Sequence, residues 1–170
     1  MKKITKILAA LLVPAMLLSL TACGGDTSSA VTESSSVQNN VNASAPADIT
    51  SKIMTDIKFP SMAEIKEDRL ASYYDVDVAK IDSFSAFICG SGAYPDEIAI
   101  FKMKSADDVN TVKTVLEDRV EKQTTTFKDY TPDEMYKIDG KNIIVSGNYI
   151  ALIICSDNAG ATGTFNNMTK

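Results

Sequence analysis

The chain contains no histidine and no tryptophan among its 170 residues. Histidine is the usual general base near neutral pH and the most common side-chain ligand of protein-bound metals. Its absence excludes serine–histidine–aspartate and cysteine–histidine catalysis, and it excludes zinc sites built on imidazole. We therefore predict no metal site and no cofactor, and we expect the protein not to be an enzyme.

Positive charge is also scarce in this chain. Lysine and arginine total 17 against 22 aspartates and glutamates, and three of the lysines lie in the first 22 residues. The chain from residue 23 onward therefore carries a net charge of −8. A surface of this sign repels nucleic-acid phosphates and anionic lipid head groups. We expect no nucleic-acid partner.

The apolar run at the start of the chain is too short to span a bilayer. It extends over the 14 residues from Ile7 to Leu20, and Pro14 interrupts it, whereas a transmembrane helix needs about 20 apolar residues. A basic start followed by such a run is typical of a secretory signal peptide. The signal ends in Leu20-Thr21-Ala22-Cys23, which is typical of a bacterial lipobox.

Cys23 is the predicted site of lipidation. Cleavage before Cys23 removes residues 1–22 and leaves a new N-terminal cysteine with a diacylglyceryl thioether, whose two acyl chains give stable anchoring. The alternative is an ordinary secretory signal with a chance cysteine, but Gly24-Gly25 and a serine-rich segment follow, as is usual in lipoproteins. We expect a lipid-anchored protein on the extracytoplasmic face of the cell membrane.

The rest of the chain divides into a tether and one domain. Residues 23–47 are rich in serine, threonine, asparagine and alanine and contain no aromatic residue. Such a segment buries too little apolar surface to offset the entropy lost on folding. Residues 48–170 are long enough to form one hydrophobic core, and we predict a single domain there.

The spacing of apolar residues predicts two β-hairpins separated by one long helix. The strands are expected at residues 83–89, 97–103, 142–146 and 149–155, and the helix from Ser105 to about Lys128. Asp139-Gly140 is expected to turn the chain into the second hairpin. Together these elements predict an α+β fold. Its antiparallel four-stranded sheet has ββαββ order, with the long helix on one face and short helices beside it.

Short helices are predicted near both ends of the domain. Residues 48–58 carry isoleucine at every fourth position, with Asp48 as the N-cap. Ser61 and Glu64 match a capping box and predict a second helix. Residues 157–168 predict a weak final helix, because two glycines lower the helix propensity there.

The second hairpin has two apolar faces. A two-residue loop at Gly147-Asn148 pairs Ser146 with Tyr149 and Val145 with Ile150, and both faces of the paired strands are then apolar. Strands of this kind need cover on each side. The long helix can cover one face. The N-terminal helices or the tail must cover the other, unless a partner protein does.

Polar residues interrupt the apolar stripe of the long helix. Gln123 falls in the middle of the stripe and Arg119 falls on its flank. A buried glutamine or half-buried arginine needs hydrogen-bond partners, and Glu97 is a candidate partner for Arg119. We take Glu97, Arg119, Gln123 and Tyr130 as a candidate polar cluster. Its role is either structural, which we favour, or that of a binding site between helix and sheet.

Two cysteines remain after lipidation, Cys89 and Cys155, and each ends a predicted strand. Their separation excludes a CxxC redox motif. They form either a disulfide across the sheet or two buried thiols, and we favour buried thiols because sequence alone does not place their Cα atoms within bridging distance.

Four tyrosines lie near loops or strand ends, namely Tyr94, Tyr130, Tyr136 and Tyr149. If they cluster at one end of the sheet, they form a surface suited to a sugar or a peptide. We favour the alternative that they are scattered along the edge of the core.

Several motifs of the domain match a known family in combination. They are Asp96–Lys102 (Asp-Glu-Ile-Ala-Ile-Phe-Lys), Arg119–Gln123, Phe127–Pro132 and Asn148-Tyr149 before an apolar strand. In these segments the chain resembles a family of clostridial-type bacterial lipoproteins known as domain of unknown function 4358. The resemblance extends from about Asp48 to the C-terminus. It implies a fold and a cellular location, and it implies no activity.

Three functions remain open from the sequence. The preferred one is a non-catalytic envelope lipoprotein that binds an envelope protein or a cell-wall partner. The second is a small-ligand-binding lipoprotein associated with a transporter. The third is a histidine-independent hydrolase using carboxylates, but the adjacent acids Asp96 and Glu97 make a poor pair because neighbours on a strand point to opposite faces.

Overall fold

The structure is a computed structural model that describes residues 43–138 and 142–170. The predicted signal peptide, Cys23, the tether as far as residue 42 and the turn at Asp139-Gly140 lie outside the described residues. Within the described ranges, no helix has both the length and the hydropathy needed to cross a membrane.

The described chain forms one antiparallel sheet with helices on both faces. The helices are α1 (Pro46–Asp56), α2 (Glu67–Tyr74), α3 (Val109–Phe127) and α4 (Asn158–Met168). The strands are β1 (Met62–Glu64), β2 (Ile81–Cys89), β3 (Glu97–Met103), β4 (Ile143–Ser146) and β5 (Tyr149–Ile154), in the order β1-β2-β3-β5-β4. Short 3₁₀ helices occupy Val78–Lys80, Ala106–Asp108 and Pro132–Lys137. The α+β class and the single long helix are confirmed.

The prediction of four strands is wrong by one edge strand. Residues 62–64 form β1 against the end of β2, where Met62 pairs with Cys89 and Glu64 pairs with Phe87. The helix predicted from Ser61 begins instead at Glu67. A capping box is a local signal, and here the ladder hydrogen bonds to the long strand β2 outweigh it.

The starts of α1 and α3 differ in detail from the sequence prediction. Ala45 is the N-cap of α1 and Pro46 is its first residue, so Asp48 lies in the first turn rather than at the cap. Proline suits this position because its missing N–H has no partner there in any case. The Ser105 hydroxyl accepts a hydrogen bond from the N–H of Asp107 at 3.2 Å, which opens the 3₁₀ turn that leads into α3.

The register of the second hairpin is confirmed, with Ser146 paired to Tyr149 and Val145 to Ile150. The strands separate two cores. The α3 face of the sheet is covered by α3 and α2, and the α1–α4 face is covered by α1 and α4. The chain itself therefore covers both faces of β5, whereas β4 at the sheet edge is only partly buried and its Val145 is 47 % exposed.

The final helix forms despite its glycines. The Asp157 carboxylate caps it by accepting a hydrogen bond from the N–H of Gly160 at 2.9 Å. A Cβ atom at Gly160 would collide with this carboxylate, whereas a Cβ at Gly163 would meet open space. Gly160 therefore permits the cap, and Phe165 secures the helix by burial in the core of the α1–α4 face.

The first described residues are attached to one end of the sheet. The N–H of Ser44 donates to the carbonyl of Met168 at 2.8 Å, and the Tyr149 hydroxyl donates to the carbonyl of Ser44 at 3.2 Å. Tyr149 begins β5, and the other end of β5 is paired with the start of β3. A strand of this length spans about 20 Å, which separates the N-terminal attachment from the residues around Asp96.

Candidate functional site

Glu97 lies at the centre of the first polar cluster. It begins β3, points toward α3 and is fully buried. Arg119 binds it with two donors, from Nε to Oε1 at 3.1 Å and from Nη2 to Oε2 at 2.8 Å. A bidentate pair of this kind has strong directional preference. It joins the middle of α3 to the start of β3.

Gln123 completes the partners of Glu97. It lies one helical turn after Arg119, so both side chains leave the same face of α3. Its Nε2 donates to Oε2 of Glu97. Both carboxylate oxygens are thus bonded by residues of a single helix, and the arrangement holds α3 on the sheet.

Tyr74 is a member of this cluster that sequence reasoning missed. It ends α2, its ring lies 5.9 Å from the guanidinium carbon of Arg119, and it is almost completely buried. Its hydroxyl faces Glu97 but makes no hydrogen bond of good geometry within the described residues. Burial, followed by the charge of Glu97, raises the pKa of this phenol well above its ordinary value. The available signal was the spacing of Leu70 and Tyr74, four residues apart.

Tyr130 does not join the cluster. It follows the end of α3 and is 67 % exposed. The structure therefore brings together Glu97, Arg119 and Gln123, and it places the fourth candidate at the surface. The charges of Glu97 and Arg119 satisfy each other, and both oxygens of Glu97 are bonded within the described residues, which favours the structural role.

A second polar cluster lies on the opposite face of the sheet. Asp96 precedes β3 and is 2 % exposed, and Lys137 ends the last 3₁₀ helix and is also buried. The Lys137 ammonium donates to Oδ2 of Asp96 at 2.8 Å and lies 2.6 Å from Oε2 of Glu134. Glu134 and Lys137 are three residues apart, a spacing that aligns side chains on a 3₁₀ helix. This spacing of Glu134 and Lys137 was the only sequence signal for the second cluster.

The main chain at Lys137 is held by two asparagine side chains. Its carbonyl accepts hydrogen bonds from Nδ2 of Asn142 at 2.9 Å and from Nδ2 of Asn158 at 2.8 Å. Asn142 also donates to the carbonyl of Ile153 in β5 at 2.8 Å. Lys137 is therefore fixed relative to the sheet and to α4 rather than lying on a loose loop.

The charges of this second cluster do not balance. Two carboxylates, Asp96 and Glu134, share one ammonium, that of Lys137. Burial raises the pKa of Asp96, and Lys137 offsets this effect only in part. Burial opposes the charge of Lys137, but its interactions with the carboxylates of Asp96 and Glu134 outweigh burial and raise its pKa. The Oδ1 atom of Asp96 has no hydrogen-bond partner within the described residues.

Asp96 and Lys137 line a cleft, which we call the Asp96 cleft. It has a volume of about 350 Å³. Phe59, Pro60 and Tyr94 form apolar parts of its wall. Tyr94 is 43 % exposed, and the Lys137 ammonium lies 5.7 Å from the centroid of its ring.

A larger hollow of about 540 Å³ lies beside β2. Unlike the Asp96 cleft, it has no buried ion pair in the described residues of its wall. The Lys104 ammonium in its wall donates to the carbonyl of Ala79 at 2.8 Å, and Asp82 is paired with Lys102 at 3.3 Å. Among the residues that the structure describes there, no buried polar atom lacks a partner. We therefore take the Asp96 cleft as the candidate functional site.

Cys89 and Cys155 flank Asp96 on neighbouring strands and are both free and buried, as the sequence favoured. Cys89 is the last residue of β2 and Cys155 directly follows β5, and these two strands are separated by β3. Two strand spacings amount to about 9–10 Å, beyond the reach of a disulfide. Burial raises the pKa of Cys155 to about 11. At Cys89 burial acts in the same direction, but hydrogen bonds from Ser91 and the loop backbone outweigh it and lower the pKa.

The four tyrosines do not form one surface. Tyr149 is buried, whereas Tyr94, Tyr130 and Tyr136 are exposed. Of these four residues, Tyr94 lines the Asp96 cleft. In residues 43–138 and 142–170, no group of three or more cysteine, aspartate or glutamate side chains is arranged to hold a metal ion.

Comparison with known proteins assigns the family. A family model described as "Domain of unknown function (DUF4358)" matches residues 55–155, more than half of the chain. The chain belongs to the DUF4358 family. The matched range includes both polar clusters and the whole sheet, while most of α1 and all of α4 lie outside it. Searches of curated proteins and of solved structures found no match.

Proposed function

We propose that this DUF4358 protein is a lipid-anchored, non-catalytic binding module on the extracytoplasmic face of a bacterial membrane. We further propose the Asp96 cleft as its binding site. The observation that carries the proposal is the buried Asp96–Lys137 ion pair in the wall of this cleft, beside the partly exposed ring of Tyr94.

The two polar clusters of the same chain support this assignment by contrast. Glu97 has both oxygens bonded, as expected of a structural ion pair. Asp96 has one oxygen bonded and one unpartnered. An unsatisfied buried polar atom costs about 1–3 kcal/mol, and more when the group is charged. The Asp96 pair is therefore less completely satisfied than the Glu97 pair, and the Tyr74 hydroxyl beside Glu97 is likewise unpartnered within the described residues.

A non-catalytic role is supported by the state of Lys137. Its ammonium is shared by Asp96 and Glu134, and its pKa is raised. A lysine held in its charged form is a poor nucleophile and a poor general base. A hydrolase using Asp96 and Glu97 as its two carboxylates is not favoured, because the partners of these residues lie on opposite faces of the sheet.

The position of the N-terminal attachment supports anchoring with an accessible cleft. Ser44 contacts Tyr149 and Met168 at one end of the sheet. Asp96 lies at the other end, about 20 Å away along β5. A chain tethered to the membrane through Cys23 would thus carry its cleft on the side remote from the point of attachment.

In-cell photocrosslinking tests the proposal. A photoreactive amino acid is placed at Tyr94, inside the cleft, or at Tyr130, which is exposed but not part of the cleft. Full-length chains with Cys23 and with Cys23→Ala are compared, and captured partners are identified by mass spectrometry. We expect one partner enriched from position 94 of the form that retains Cys23. Equal capture from both positions, or no capture from position 94, would overturn the cleft as the binding site.

The second candidate function is a small-ligand-binding lipoprotein associated with a transporter. The volume of the cleft, about 350 Å³, lies at the lower end of the range of small-molecule pockets. A metabolite that raises the melting temperature of the wild-type protein, and not of an Asp96→Asn variant, would favour this function. Flat melting curves across a broad set of metabolites would count against it.

A further inference from the structure

The first half of β2 has an open edge. β3 pairs with β2 along most of its length, but β1 pairs only with residues 87–89. On the same side, the N–H of Ile65 donates to the carbonyl of Ala86 at 2.8 Å. The chain then leaves the sheet, because α2 begins at Glu67. Within the described residues, no strand therefore pairs with residues 81–85 on this side.

The main chain of Phe84 faces this open edge. The peptide groups of an antiparallel strand point alternately to its two neighbours, with a period of two residues. The carbonyl of Ala86 points to the β1 side, so the peptide groups of Phe84 point the same way. A register shift between Ile81 and Ser83 ends the regular pattern. The N–H and C=O of Phe84 thus form a short template for another strand.

The open edge is recessed. The hollow of about 540 Å³ beside β2 is lined by residues 81–84 of the strand, by Glu67 of α2 and by Val78 and Ala79 of the adjoining 3₁₀ helix. Elements thus stand on both sides of the edge. In a second copy of this chain, β2 lies in the same recess, so two such edges are kept apart. A single extended peptide is narrow enough to enter.

The charges of the hollow favour a basic ligand. Asp82 is paired with Lys102, and the Lys104 ammonium donates to the carbonyl of Ala79. Glu67 lies in the same wall and joins no ion pair among the described residues. The predicted mature chain also carries a net charge of −8, which attracts basic segments.

We propose that this edge binds an extended, basic peptide segment of a partner protein, which adds to the sheet as a strand beside β2. The inference goes beyond the proposed function, because the Asp96 cleft lies past the other end of β2. The main chain of the peptide pairs with the N–H and C=O of Phe84. A peptide side chain on the α3 face lies next to the half-buried Phe84 ring, and a lysine or arginine of the peptide lies beside Glu67.

Selection from a random peptide library displayed on phage tests the inference, with the full chain in mild detergent as the target. Each selected peptide is synthesised with two altered copies, one N-methylated at alternate amides and the other at the remaining amides. A peptide that adds as a strand uses the amides of one edge only. We therefore expect one copy to bind at least about tenfold more weakly and the other to bind as the parent does.

Hydrogen exchange followed by NMR locates the bound peptide. We expect saturating peptide to slow exchange of the Phe84 amide by at least about tenfold. The amide of Val145, in β4 at the opposite edge of the sheet, should be unaffected. Glu67→Gln should weaken binding about two- to fivefold, as expected for an exposed ion pair. The matched change Glu121→Gln, on the exposed side of α3, should not alter it.

Several outcomes would overturn the inference. They are a library that yields no binding peptide, equal binding by both N-methylated copies, and slowed exchange at Val145 without an effect at Phe84. Unchanged binding by Glu67→Gln overturns the basic character of the ligand. Dimerisation of the chain that the peptides inhibit assigns the edge to a second copy and overturns the partner peptide. Photocrosslinking at position 94 tests the Asp96 cleft separately.

Discussion

Asp96 and Glu97 are consecutive in the chain, yet each is paired with a different base on an opposite face of the sheet. Glu97 binds Arg119 of α3 on one face, at 2.8 Å, and Asp96 binds Lys137 on the other, also at 2.8 Å. The alternation of side chains along a strand separates them. The Glu97 carboxylate has both oxygens bonded, whereas Oδ1 of Asp96 has no partner within the described residues.

The Glu97–Arg119 pair should be strongly non-additive on mutation. Arg119→Met leaves the buried Glu97 charge with Gln123 as its remaining bonded partner, and we expect it to lower the free energy of unfolding by about 3–5 kcal/mol. Adding Glu97→Gln removes the stranded charge and should recover more than about 1 kcal/mol. Urea unfolding of the three variants measures the effect.

The control for that pair is Arg69→Met, which changes an arginine at an exposed position of α2. We expect it to alter stability by no more than about 0.5 kcal/mol. A double variant that is as unstable as the sum of its single changes would contradict the structural role of the pair.

Tyr74 should make stability fall at alkaline pH. Its folded-state pKa is raised above 10.0, so the folded protein holds this proton longer than the unfolded chain does. The resulting stability is complete below about pH 10 and is lost as pH rises toward the folded-state pKa, at up to about 1.4 kcal/mol per pH unit. Tyr74→Phe lacks this loss. Between pH 9 and 11, the variant should therefore gain stability relative to wild type.

Chemical denaturation at several alkaline pH values tests this difference, with Tyr136→Phe as the exposed control. Parallel pH profiles for wild type and Tyr74→Phe would show that the Tyr74 phenol titrates alike in the folded and unfolded states.

Replacing Lys137 should give a loss of stability that depends on pH. Lys137→Met leaves Asp96 and Glu134 without their shared ammonium, and we expect a loss of about 3 kcal/mol at pH 7. In the variant the pKa of Asp96 rises further than in the wild type, where it is already raised. A carboxyl with a raised folded-state pKa favours the folded state most below its unfolded value and loses this advantage as pH rises. The deficit should therefore be smaller at pH 4 than at pH 7.

Urea titrations at both pH values measure that deficit. Lys58→Met, at the exposed rim of the same cleft, should cost little at either pH. If the deficit of Lys137→Met is the same at pH 4 and pH 7, a stranded carboxylate is not its cause.

The two glycines of α4 should respond oppositely to alanine. Gly163 has open space at its Cβ position, so Gly163→Ala should stabilise the protein by about 0.5–1 kcal/mol through helix propensity. At Gly160 the new methyl group would displace the Asp157 carboxylate that caps the helix. The lost cap offsets the gain, since caps contribute about 1 kcal/mol. Thermal melts should rank Gly163→Ala above wild type and Gly160→Ala at or below it.

Part of the first polar cluster, around Glu97, could be predicted from the sequence because a helix has a fixed period. Arg119 and Gln123 interrupt an apolar stripe, and the only question was which group they meet. Glu97 was the candidate for Arg119, and the structure shows that contact. Tyr74 was missed because the four-residue spacing from Leu70 was its only signal. Tyr130 was misplaced because the chain after the end of α3 leaves it exposed.

The candidate cleft could not be read from the sequence in the same way. Its residues come from the segment after α1, the loop before β3, the last 3₁₀ helix and the segment after β5. Asp96 and Lys137 are 41 residues apart, and no periodicity relates positions on separate elements. β1 was missed for a similar reason, because its pairing partner lies in β2, far along the chain.

The sequence by itself determined the local features of this protein. Alternating and helical periods defined both hairpins and the long helix, a two-residue loop set the register of β4 and β5, and composition excluded histidine-based chemistry. Only the tertiary structure decided which charges meet. The direction of each side chain from its strand brought Glu97 to Arg119 and Asp96 to Lys137. Such pairings depend on the packing of distant elements, which no local pattern encodes.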